Sequence, residues 1–526
     1  MEIFGVEVPL WVSLTFTVTV LLYWYGTSTF NTFQELGIPH RKAYIPFFGH
    51  LIENLVNPLP ILDMKISKQF PGKIYGGFEG RRPALYVRDA EFVKDLTIRE
   101  FASFMNRRLL MDENGIPGNH LGRIKDDHWK HIRTILSPSF STGKLKQMYP
   151  IIQSHADRFV SCLHATDATP VLIKDYTAGY TMDVIASTAF GLDIQAQRPT
   201  EHPFMYHAKS FFATPRDNHI STKIQIVLNL LYQFMLPIRI KALISKIFDA
   251  SFVGQEANNY FETLMNKLYD DVRQKEQKGI EFITRCAEKV VDLKEVEENT
   301  IKVTNGKMWT SAGLTKRDFI ANATLFISDG FEPTSSTLQS FFYFMAMYPD
   351  VQDKLHRVIS ELADENGCCT YEELKQLEYL DWCIDESMRL MPVGMRLERE
   401  AEEDVTIRGI PIKKGMVVHV QIYCMHRDPT YWEDPETFKP ERFAPENRTA
   451  NQQYAFLPFG SGGRKCIGYR LALLEMKVVI VKALTAFRFE RCSETPKMKD
   501  LTYKLGLLLL NIETPVKLVA VPKRKL

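Results

Sequence analysis

The chain has 526 residues, of which 45% are hydrophobic and 24% are charged, a composition that is ordinary for a folded globular protein and excludes an intrinsically disordered one. The formal net charge of +2 indicates no nucleic-acid partner for the chain as a whole. Its eight cysteines form no Cys-x-x-Cys pair and are too sparse for a disulfide framework, so we expect reduced thiols in a cytosolic environment. The length allows two to four domains or one large mixed α/β domain.

The first predicted element is an uncharged, apolar run at residues 8–26. Its length is close to the roughly 20 residues that a helix needs to cross a bilayer, and aromatic residues stand near its ends, as in the belts at membrane interfaces. A cleaved signal peptide is the alternative. Against it, Glu2 and Glu7 stand where a signal peptide has basic residues, and no small-residue cleavage site follows.

Positive charge appears only after this run, at Arg41 and Lys42, which predicts that the rest of the protein faces the cytosol. We therefore predict a single-pass membrane anchor at residues 1–30. A proline-containing, extended connector is expected at residues 31–50, because proline disfavours helix at the residue before it. The body of the protein then occupies residues 51–526.

The body begins with short strands at residues 74–87, separated by glycine-containing turns. Further on, Trp129 and Arg133 are four residues apart and share one face of a predicted helix; the ordinary explanation is a surface cation–π pair. An apolar zone at residues 211–248 is interrupted by Pro237 and polar side chains, so a second membrane span is not expected. This zone is either a helix pair dipping into the membrane interface or a buried core helix.

Residues 275–307 are polar and predict a surface helix or a linker. A capping box then begins at Thr315, with Asp318 three residues later, and an apolar pattern continues to Pro349. We expect one long helix over this stretch. Pro333 stands inside it, and because proline in a helix interior costs about 3 kcal/mol, the helix should be bent or opened there.

Two downstream patterns suggest how the C-terminal half is held together. Glu386 and Arg389 are three residues apart on a predicted helix, and such a pair alone indicates only a weak surface interaction. Alternating apolar residues within 395–422 predict strands of a small sheet, and Arg442 follows it.

The stretch from Phe459 to Gly468 is Phe-Gly-Ser-Gly-Gly-Arg-Lys-Cys-Ile-Gly, directly before a predicted helix. Glycines let the backbone approach a flat group closely and turn N–H groups toward the Cys466 sulfur, and the helix dipole also favours a thiolate. A thiolate held in this way can serve as an axial ligand of haem iron. A buried structural cysteine in a turn is the ordinary alternative for a lone residue of this kind.

The spacing of this stretch resembles the Phe-x-x-Gly-x-Arg-x-Cys-x-Gly signature of the cytochrome P450 family. The resemblance extends over nearly the whole chain, and its local sequence is similar to the animal microsomal group that contains steroid and drug hydroxylases and thromboxane synthase. It implies a predominantly helical α+β fold, the cytochrome P450 fold with small β-sheets, and heme b bound through the Cys466 sulfur. It also implies that Glu386, Arg389 and Arg442 form a buried ionic lock.

The resemblance assigns residues of this chain to the haem site. Those implied to contact its propionates or its rim are Arg107 or its neighbour Arg108, Trp129, Arg133, Arg399, Phe459, Arg464 and Gly468.

On the distal side of the haem, the family has a small residue, a glycine, an acid and a threonine in one turn of the long helix. Gly330 and Glu332 match this pattern, and Gly330 is implied to allow close approach of haem and oxygen. Two positions depart from it: Asp329 replaces the small residue, and Pro333 replaces the threonine that helps to deliver protons during oxygen activation. We expect Thr334 to substitute in part through a water molecule held at the freed Asp329 carbonyl. Glu332, Thr334 and Asp329 are therefore the candidate catalytic residues.

The resemblance implies a monooxygenase that inserts one oxygen atom from O2 into an apolar small molecule such as a steroid, fatty acid or xenobiotic. Its expected partners are NADPH-cytochrome P450 reductase, cytochrome b5 and the endoplasmic reticulum membrane, but no nucleic acid. Two alternatives are a haem-thiolate isomerase or lyase that acts on a peroxide without reductase, and a non-catalytic haem-binding protein. Residues 107–122 and 205–250 are implied to line the substrate pocket, and no acid or base in them indicates a substrate charge. The basic residues expected at the reductase-docking face are Lys125, Lys130, Lys144, Lys146 and Lys465.

Overall fold

The computed structural model describes residues 9–108, 118–198, 202–210, 255–275, 282–450, 452–505 and 509–523, together with the backbone of two short strands near the N-terminus. The apolar zone predicted at residues 211–248 lies outside the described residues. In the described part, long helices surround one another and small sheets lie at the periphery, which confirms the predicted predominantly helical α+β class.

Eighteen α-helices are described. They are α1 (Leu10–Thr27), α2 (Thr32–Glu35), α3 (Leu51–Val56), α4 (Leu59–Ser67), α5 (Ala90–Lys94), α6 (Asp126–Leu136), α7 (Thr142–His164), α8 (Ile173–Phe190), α9 (Pro203–Ser210), α10 (Gln255–Lys275), α11 (Phe282–Ala287), α12 (Lys316–Met347), α13 (Pro349–Ser360), α14 (Tyr371–Leu374), α15 (Glu378–Leu390), α16 (Ile422–Met425), α17 (Gln452–Ala455) and α18 (Tyr469–Ala486).

The strands form five small sheets within the described residues. The largest is four-stranded with the order β3-β4-β11-β8, in which β11 is parallel to β4 and antiparallel to β8. The strands are β1 (Glu2–Ile3), β2 (Val6–Glu7), β3 (Ile74–Glu79), β4 (Arg82–Val87), β5 (Val171–Leu172), β6 (Ile301–Thr304), β7 (Lys307–Thr310), β8 (Arg396–Glu400), β9 (Val405–Ile407), β10 (Ile410–Ile412), β11 (Val417–Gln421), β12 (Phe487–Arg491) and β13 (Lys517–Pro522).

Helix α1 confirms the predicted apolar N-terminal segment. Within the described residues it is the one helix long and apolar enough to cross a membrane, with a mean hydropathy of 1.2 and almost no burial against the protein. Its threonine hydroxyls donate to carbonyls four residues earlier, for example Thr15 to Trp11 at 2.7 Å and Thr19 to Thr15 at 2.8 Å. These bonds satisfy polar groups that hydrocarbon could not, so the threonines are compatible with a membrane span.

Helix α12 crosses the centre of the body. The predicted capping box is confirmed: the Thr315 hydroxyl accepts a hydrogen bond from the Asp318 N–H, and the Asp318 carboxylate accepts one from the Thr315 N–H. The helix continues through Pro333 without interruption, so of the two expected outcomes, a bend or an opening, the opening does not occur. Helix α8 packs against it, and hydroxyls of Thr177 and Thr181 donate to α12 carbonyls.

A β-hairpin, β6–β7, occupies residues for which the polar composition predicted a surface helix or linker. That prediction is wrong, because Asn305 and Gly306 both adopt positive φ angles and close a two-residue hairpin turn. The hairpin also has a buried side: Trp309 stacks on His128 of α6 with ring centroids 5.1 Å apart. It therefore supports the helix that carries Trp129 and Arg133.

Candidate haem-thiolate site

The Cys466 loop is held by its own backbone and by residues 97–101. The Cys466 N–H donates to the Phe459 carbonyl at 2.9 Å, closing the loop on itself. Gly462 has a φ of +69°, and a Cβ there would lie 2.0 Å from the Thr97 carbonyl oxygen, so only glycine fits. The loop leads directly into α18, with Gly468 at the helix N-cap.

The pKa of the Cys466 thiol is raised overall by its surroundings, although three groups near it favour the thiolate. Burial raises its pKa and the nearby Asp329 carboxyl raises it further, whereas the Gly468 N–H, Arg133 and Arg107 lower it by stabilising the thiolate. Protein surrounds this sulfur, yet the side chain is exposed, as expected for a group on the wall of an internal space. The predicted N–H bond to the sulfur is thus present, and it comes from Gly468.

Gly468 itself is not required by the packing of the protein. Its φ is ordinary, and a Cβ there would meet only the Phe140 ring, at an unstrained 3.7 Å. Phe459 is half-buried beside it, with its ring 6.0 Å from that of Tyr469. A bulky group other than protein would explain why glycine stands at this position.

Arg464, inside the same loop, is buried among backbone carbonyls. It donates to the carbonyls of Met105, Leu121 and Ile124 at 2.8, 3.1 and 3.0 Å, and its guanidinium stacks over the Trp129 ring at 4.0 Å. Burial and the neighbouring arginines lower its pKa to about 8. The cation–π partner of Trp129 is therefore chiefly Arg464, since Arg133 lies 5.8 Å from the ring.

Two side chains near Arg464 have buried polar atoms that no described residue satisfies. Trp129 Nε1 has no hydrogen-bond partner, and neither do Nε and Nη2 of Arg399. Arg399 is fully buried on β8, and burial together with Arg107 lowers its pKa to about 9. Native proteins rarely leave such groups unpaired, because each costs about 1–3 kcal/mol. These donors therefore point to an absent acceptor.

The structure also separates the two arginines that the sequence could not distinguish. Arg108 is paired with Glu79 and, at 2.8 Å, with Glu398. Arg107 forms no ion pair with any described residue, and burial lowers its pKa. Arg133, on α6, donates to the Lys465 carbonyl at 2.8 Å and likewise has no acidic partner in the described part of the chain. Arg107, rather than Arg108, is thus available for an anion.

The residues present fit heme b. Arg107, Arg133, Arg399 and Arg464 form a buried cluster that has no carboxylate ion-paired to it among the described residues, and a dianionic group would compensate it. Trp129 offers one more unpaired donor, and Cys466 offers the sulfur ligand. For comparison, no cluster of metal-binding side chains exists elsewhere in the described residues.

The predicted ionic lock is confirmed. Glu386 and Arg389 are completely buried and joined by two bonds of 2.7 and 2.9 Å, and Arg442 reaches the same carboxylate at 3.0 Å. Arg389 also donates to the carbonyls of His426 and Pro435, both at 2.7 Å. The lock therefore fixes the segment that leads to the Cys466 loop.

Among the distal residues, Glu332 has a structural partner. Lys174 of α8 lies 3.0 Å from its carboxylate, and the Ser336 hydroxyl donates to it at 3.3 Å. Gly330 likewise faces α8: a Cβ there would lie 2.7 Å from the Ile185 side chain. Among the described residues, the close approach that this glycine permits is between two helices.

Thr334 is not brought to Asp329. Five residues along a helix correspond to a rotation of about 140°, so the two side chains face different directions. Burial raises the pKa of the Glu475 carboxyl of α18 well above its ordinary value, and the nearby Thr334 hydroxyl opposes that rise. This contact does not support the expectation that Thr334 replaces the missing threonine. Pro333 has no N–H, so the Asp329 carbonyl does lack its usual helical donor.

Asp329 is the distal residue that faces the Cys466 side of the structure. Its side chain is exposed, and its carboxyl raises the pKa of Cys466. Arg107 and Arg123 lower the pKa of this carboxyl. Burial within the surrounding protein raises its own pKa to about 6. The sequence marked this position as unusual, and the structure brings its charge together with those of Cys466 and Arg107.

Comparison with known proteins agrees with this geometry. The cytochrome P450 family matches residues 39–518. The chain is 35% identical to cytochrome P450 3A29 of Sus scrofa, over 99% of this chain and 98% of that protein. It is 34% identical to cytochrome P450 3A1 of Rattus norvegicus, over 98% and 96% of the two chains. It is also 34% identical to the lithocholate 6-beta-hydroxylase of Mesocricetus auratus, over 99% and 98%.

The family match covers nine-tenths of the chain, and the relatives align over almost their full length. The similarity is therefore not limited to one shared motif. These relatives are animal enzymes of one group, as the local sequence predicted. The chain therefore belongs to the cytochrome P450 family and is a haem-dependent monooxygenase, an oxidoreductase.

Proposed function

We propose that this monooxygenase inserts one oxygen atom from O2 into an apolar small molecule, a steroid, fatty acid or xenobiotic, with electrons from NADPH delivered by a reductase. The observation that carries the proposal is the buried arginine cluster beside the Cys466 thiol, which has donors and positive charge but no carboxylate paired to it among the described residues. The relative named as a lithocholate hydroxylase supports a steroid as one substrate class.

In this proposal Cys466 would supply the sulfur ligand; burial raises its pKa, and the Gly468 N–H and Arg133 oppose that rise by favouring the thiolate that the metal would bind. Arg107, Trp129 and Arg399 donate to the haem propionates, since these side chains have donors without partners or without acids in the described chain. Arg464 binds the carbonyls of 105, 121 and 124 and thereby fixes the loop against the arginine cluster. When bound, haem supplies the iron at which dioxygen is activated.

The reductase and cytochrome b5 are expected to dock near the Cys466 loop. Three of the five lysines predicted there are paired with acids: Lys125 with Glu400, Lys130 with Asp127 and Lys146 with Glu372. The other two, Lys144 and Lys465, form no ion pair with a described residue; Lys144 donates to an amide and Lys465 lies over a tyrosine ring. These two lysines are therefore the better candidates for contact with an acidic partner.

The proposed location is the endoplasmic reticulum membrane, with α1 as a single-pass anchor and the body in the cytosol. Support comes from the exposed apolar surface of α1 and from Arg41 and Lys42, which follow it. The base of the anchor is packed: Gly26 is buried against Phe47, whose N–H donates to the Gly26 carbonyl at 3.1 Å.

The first test is the absorption spectrum of the reduced, carbon-monoxide-bound protein. We expect the spectrum of thiolate-ligated haem, its loss in Cys466→Ser, and its retention in Cys492→Ser, which changes a cysteine elsewhere. Product formation from a steroid or fatty acid should then require both NADPH and the reductase. Products that form only from a hydroperoxide, without reductant, would contradict monooxygenation as the physiological reaction.

The peroxide isomerase or lyase is the second candidate function, favoured by Pro333 and by the engagement of Thr334 with Glu475. A reaction that needs no proton delivery would tolerate this arrangement. Pro333→Thr restores a hydroxyl and an N–H, whereas Pro333→Ala restores only the N–H. If the missing hydroxyl limits oxygen activation, the threonine variant alone should release several-fold less hydrogen peroxide per NADPH consumed. Equal peroxide release in the parent and both variants would argue against any proton-delivery deficit.

A further inference from the structure

Arg123 lies in a segment that is clamped between the Cys466 loop and the distal helix. The Leu121 N–H donates to Asn322 of α12 at 2.8 Å, while the Leu121 carbonyl accepts from Arg464 at 3.1 Å. Ile124, on the other side of Arg123, is held by Arg464 at 3.0 Å. Arg123 is thus placed by fixed contacts on both sides, between haem-binding arginines and α12.

Arg123 forms no ion pair and no side-chain hydrogen bond within the described part of the protein, although it is largely enclosed and burial lowers its pKa. The acids that raise the pKa of Arg123, against burial, are Glu398 and Asp329. Glu398 is already bound to Arg108 at 2.8 Å, and the carboxyl of Asp329 is more than 4 Å from Arg123, since the two form no ion pair. The remaining charged neighbours, Arg107 and Arg108, are cationic.

Lys125, two residues later in the same segment, is a basic residue whose charge is compensated by an acid of the chain itself. Its ammonium group lies 2.6 Å from Glu400. Arg123 has no such acid, and this lack is the feature that identified Arg107 and Arg399 as anion-binding residues. Haem brings two propionates, whereas the cluster beside Cys466 contains five arginines without a paired acid among the described residues when Arg123 is counted: Arg107, Arg123, Arg133, Arg399 and Arg464.

We propose that Arg123 binds the acidic group of the substrate, and that the protein oxygenates lipophilic carboxylic acids. This inference rests on the proposed function and narrows its substrate class. The planar guanidinium matches a carboxylate with two parallel N–H donors, and the field of Arg107 adds to the attraction. Asp329, whose carboxyl acts on Arg123 without forming an ion pair with it, disfavours a second anionic group on the substrate.

The experiment compares an acid with its neutral ester on two scaffolds: dodecanoic acid with methyl dodecanoate, and lithocholate with its methyl ester. The purified full-length holoprotein is titrated in detergent micelles by haem spin-state shift, and equilibrium dialysis of radiolabelled acid repeats the measurement without relying on haem. At least one acid should bind about ten- to a hundredfold more tightly than its ester, as expected for a charge-assisted hydrogen-bonded pair.

Arg123→Gln should reduce binding of the acid to that of the ester, and Arg123→Lys should recover part of the difference. Lys130→Gln, which removes an exposed positive charge from the neighbouring helix, should leave both affinities unchanged. An acid that binds no better than its ester on both scaffolds would overturn the proposal, as would a preference that survives Arg123→Gln. Loss of haem from Arg123→Gln would instead assign Arg123 to a propionate. Failure of the proposed function appears separately, as absence of the thiolate-haem spectrum in the parent protein.

Discussion

Two clusters of buried arginines differ in how their charge is compensated. Arg389 and Arg442 share the carboxylate of Glu386, and the remaining N–H groups of Arg389 reach backbone carbonyls. Around Arg399 the chain supplies no acid of this kind, and two nitrogens of that side chain have no partner among the described residues. Arg399 is as fully buried as Arg389, so burial alone does not explain the difference.

The difference is that one cluster is complete without a ligand and the other is not. A buried guanidinium without an anion is costly, and proteins that keep one generally bind an anion there. The first cluster therefore stabilises the fold, whereas the second lowers the stability of the haem-free protein in exchange for affinity for haem. Substitutions in the two clusters should accordingly change stability in opposite directions.

The largest expected effect is that of Glu386→Ala in the complete cluster. Removing this carboxylate leaves two buried guanidinium groups uncompensated, which should lower the free energy of unfolding by about 3–5 kcal/mol. We expect loss of haem together with loss of folded protein in denaturant titrations. Glu372→Ala removes an exposed partner of Lys146 and should leave the free energy of unfolding nearly unchanged, because solvent screens the pair. Full haem occupancy and unchanged stability in Glu386→Ala would contradict the assignment of the lock.

Arg399→Met tests the incomplete cluster and should separate stability from haem binding. Without haem, the variant loses a buried charge with unpaired nitrogens, so its free energy of unfolding should rise by about 1–3 kcal/mol. With haem, it loses a propionate donor, so haem transfer to an acceptor protein should be about tenfold faster or more.

Arg396→Met is the matched control, because Arg396 lies on the same strand, three residues earlier, and is equally enclosed. Arg396 has an acid: its Nε donates to Asp63 at 2.7 Å. Its substitution should destabilise the protein with or without haem by leaving Asp63 buried and unpaired. If Arg399→Met destabilised the haem-free protein as Arg396→Met does, the proposed distinction between the clusters would fail.

Local sequence patterns predicted much of this architecture. The capping box at Thr315, the strands β3 and β4, and the α1 segment depend on residues close together in the chain. The β6–β7 hairpin was also predictable, because Asn305-Gly306 between alternating strands is a strong turn signal that the polar composition obscured.

Partners distant in sequence were not predictable in the same way. Glu332 meets Lys174, and Thr334 meets Glu475, across more than a hundred residues of chain. No spacing rule relates such positions, so the sequence could identify Glu332 and Thr334 as candidate catalytic residues but could not show what they contact. Whether Arg107 or Arg108 is free was undecidable for the same reason, since Glu79 and Glu398 come from two different strands.

Asp329 is an acid whose charge acts on the incomplete cluster, and its titration should make stability depend on pH. Burial raises its pKa to about 6, against the opposing effects of Arg107, Ser328 and Arg123. The folded protein therefore holds this proton up to a higher pH than the unfolded chain, whose aspartates titrate near pH 4. Between about pH 4 and 6 the folded state binds more protons, so the free energy of unfolding falls as the pH rises.

Asp329→Asn should remove this fall, so the variant should match the parent near pH 4 and be the more stable protein above about pH 6. The effect should be the smallest of the three, because the Asp329 side chain is exposed and solvent screens its charge. Asp385 gives a control outside the site, because burial raises its pKa to about 7. Asp385→Asn should therefore remove a decrease in the free energy of unfolding that continues up to about pH 7. Chemical denaturation of the haem-free proteins across this range measures both. Parallel stability curves for Asp329→Asn and the parent would show that Asp329 is not enclosed with the arginine cluster.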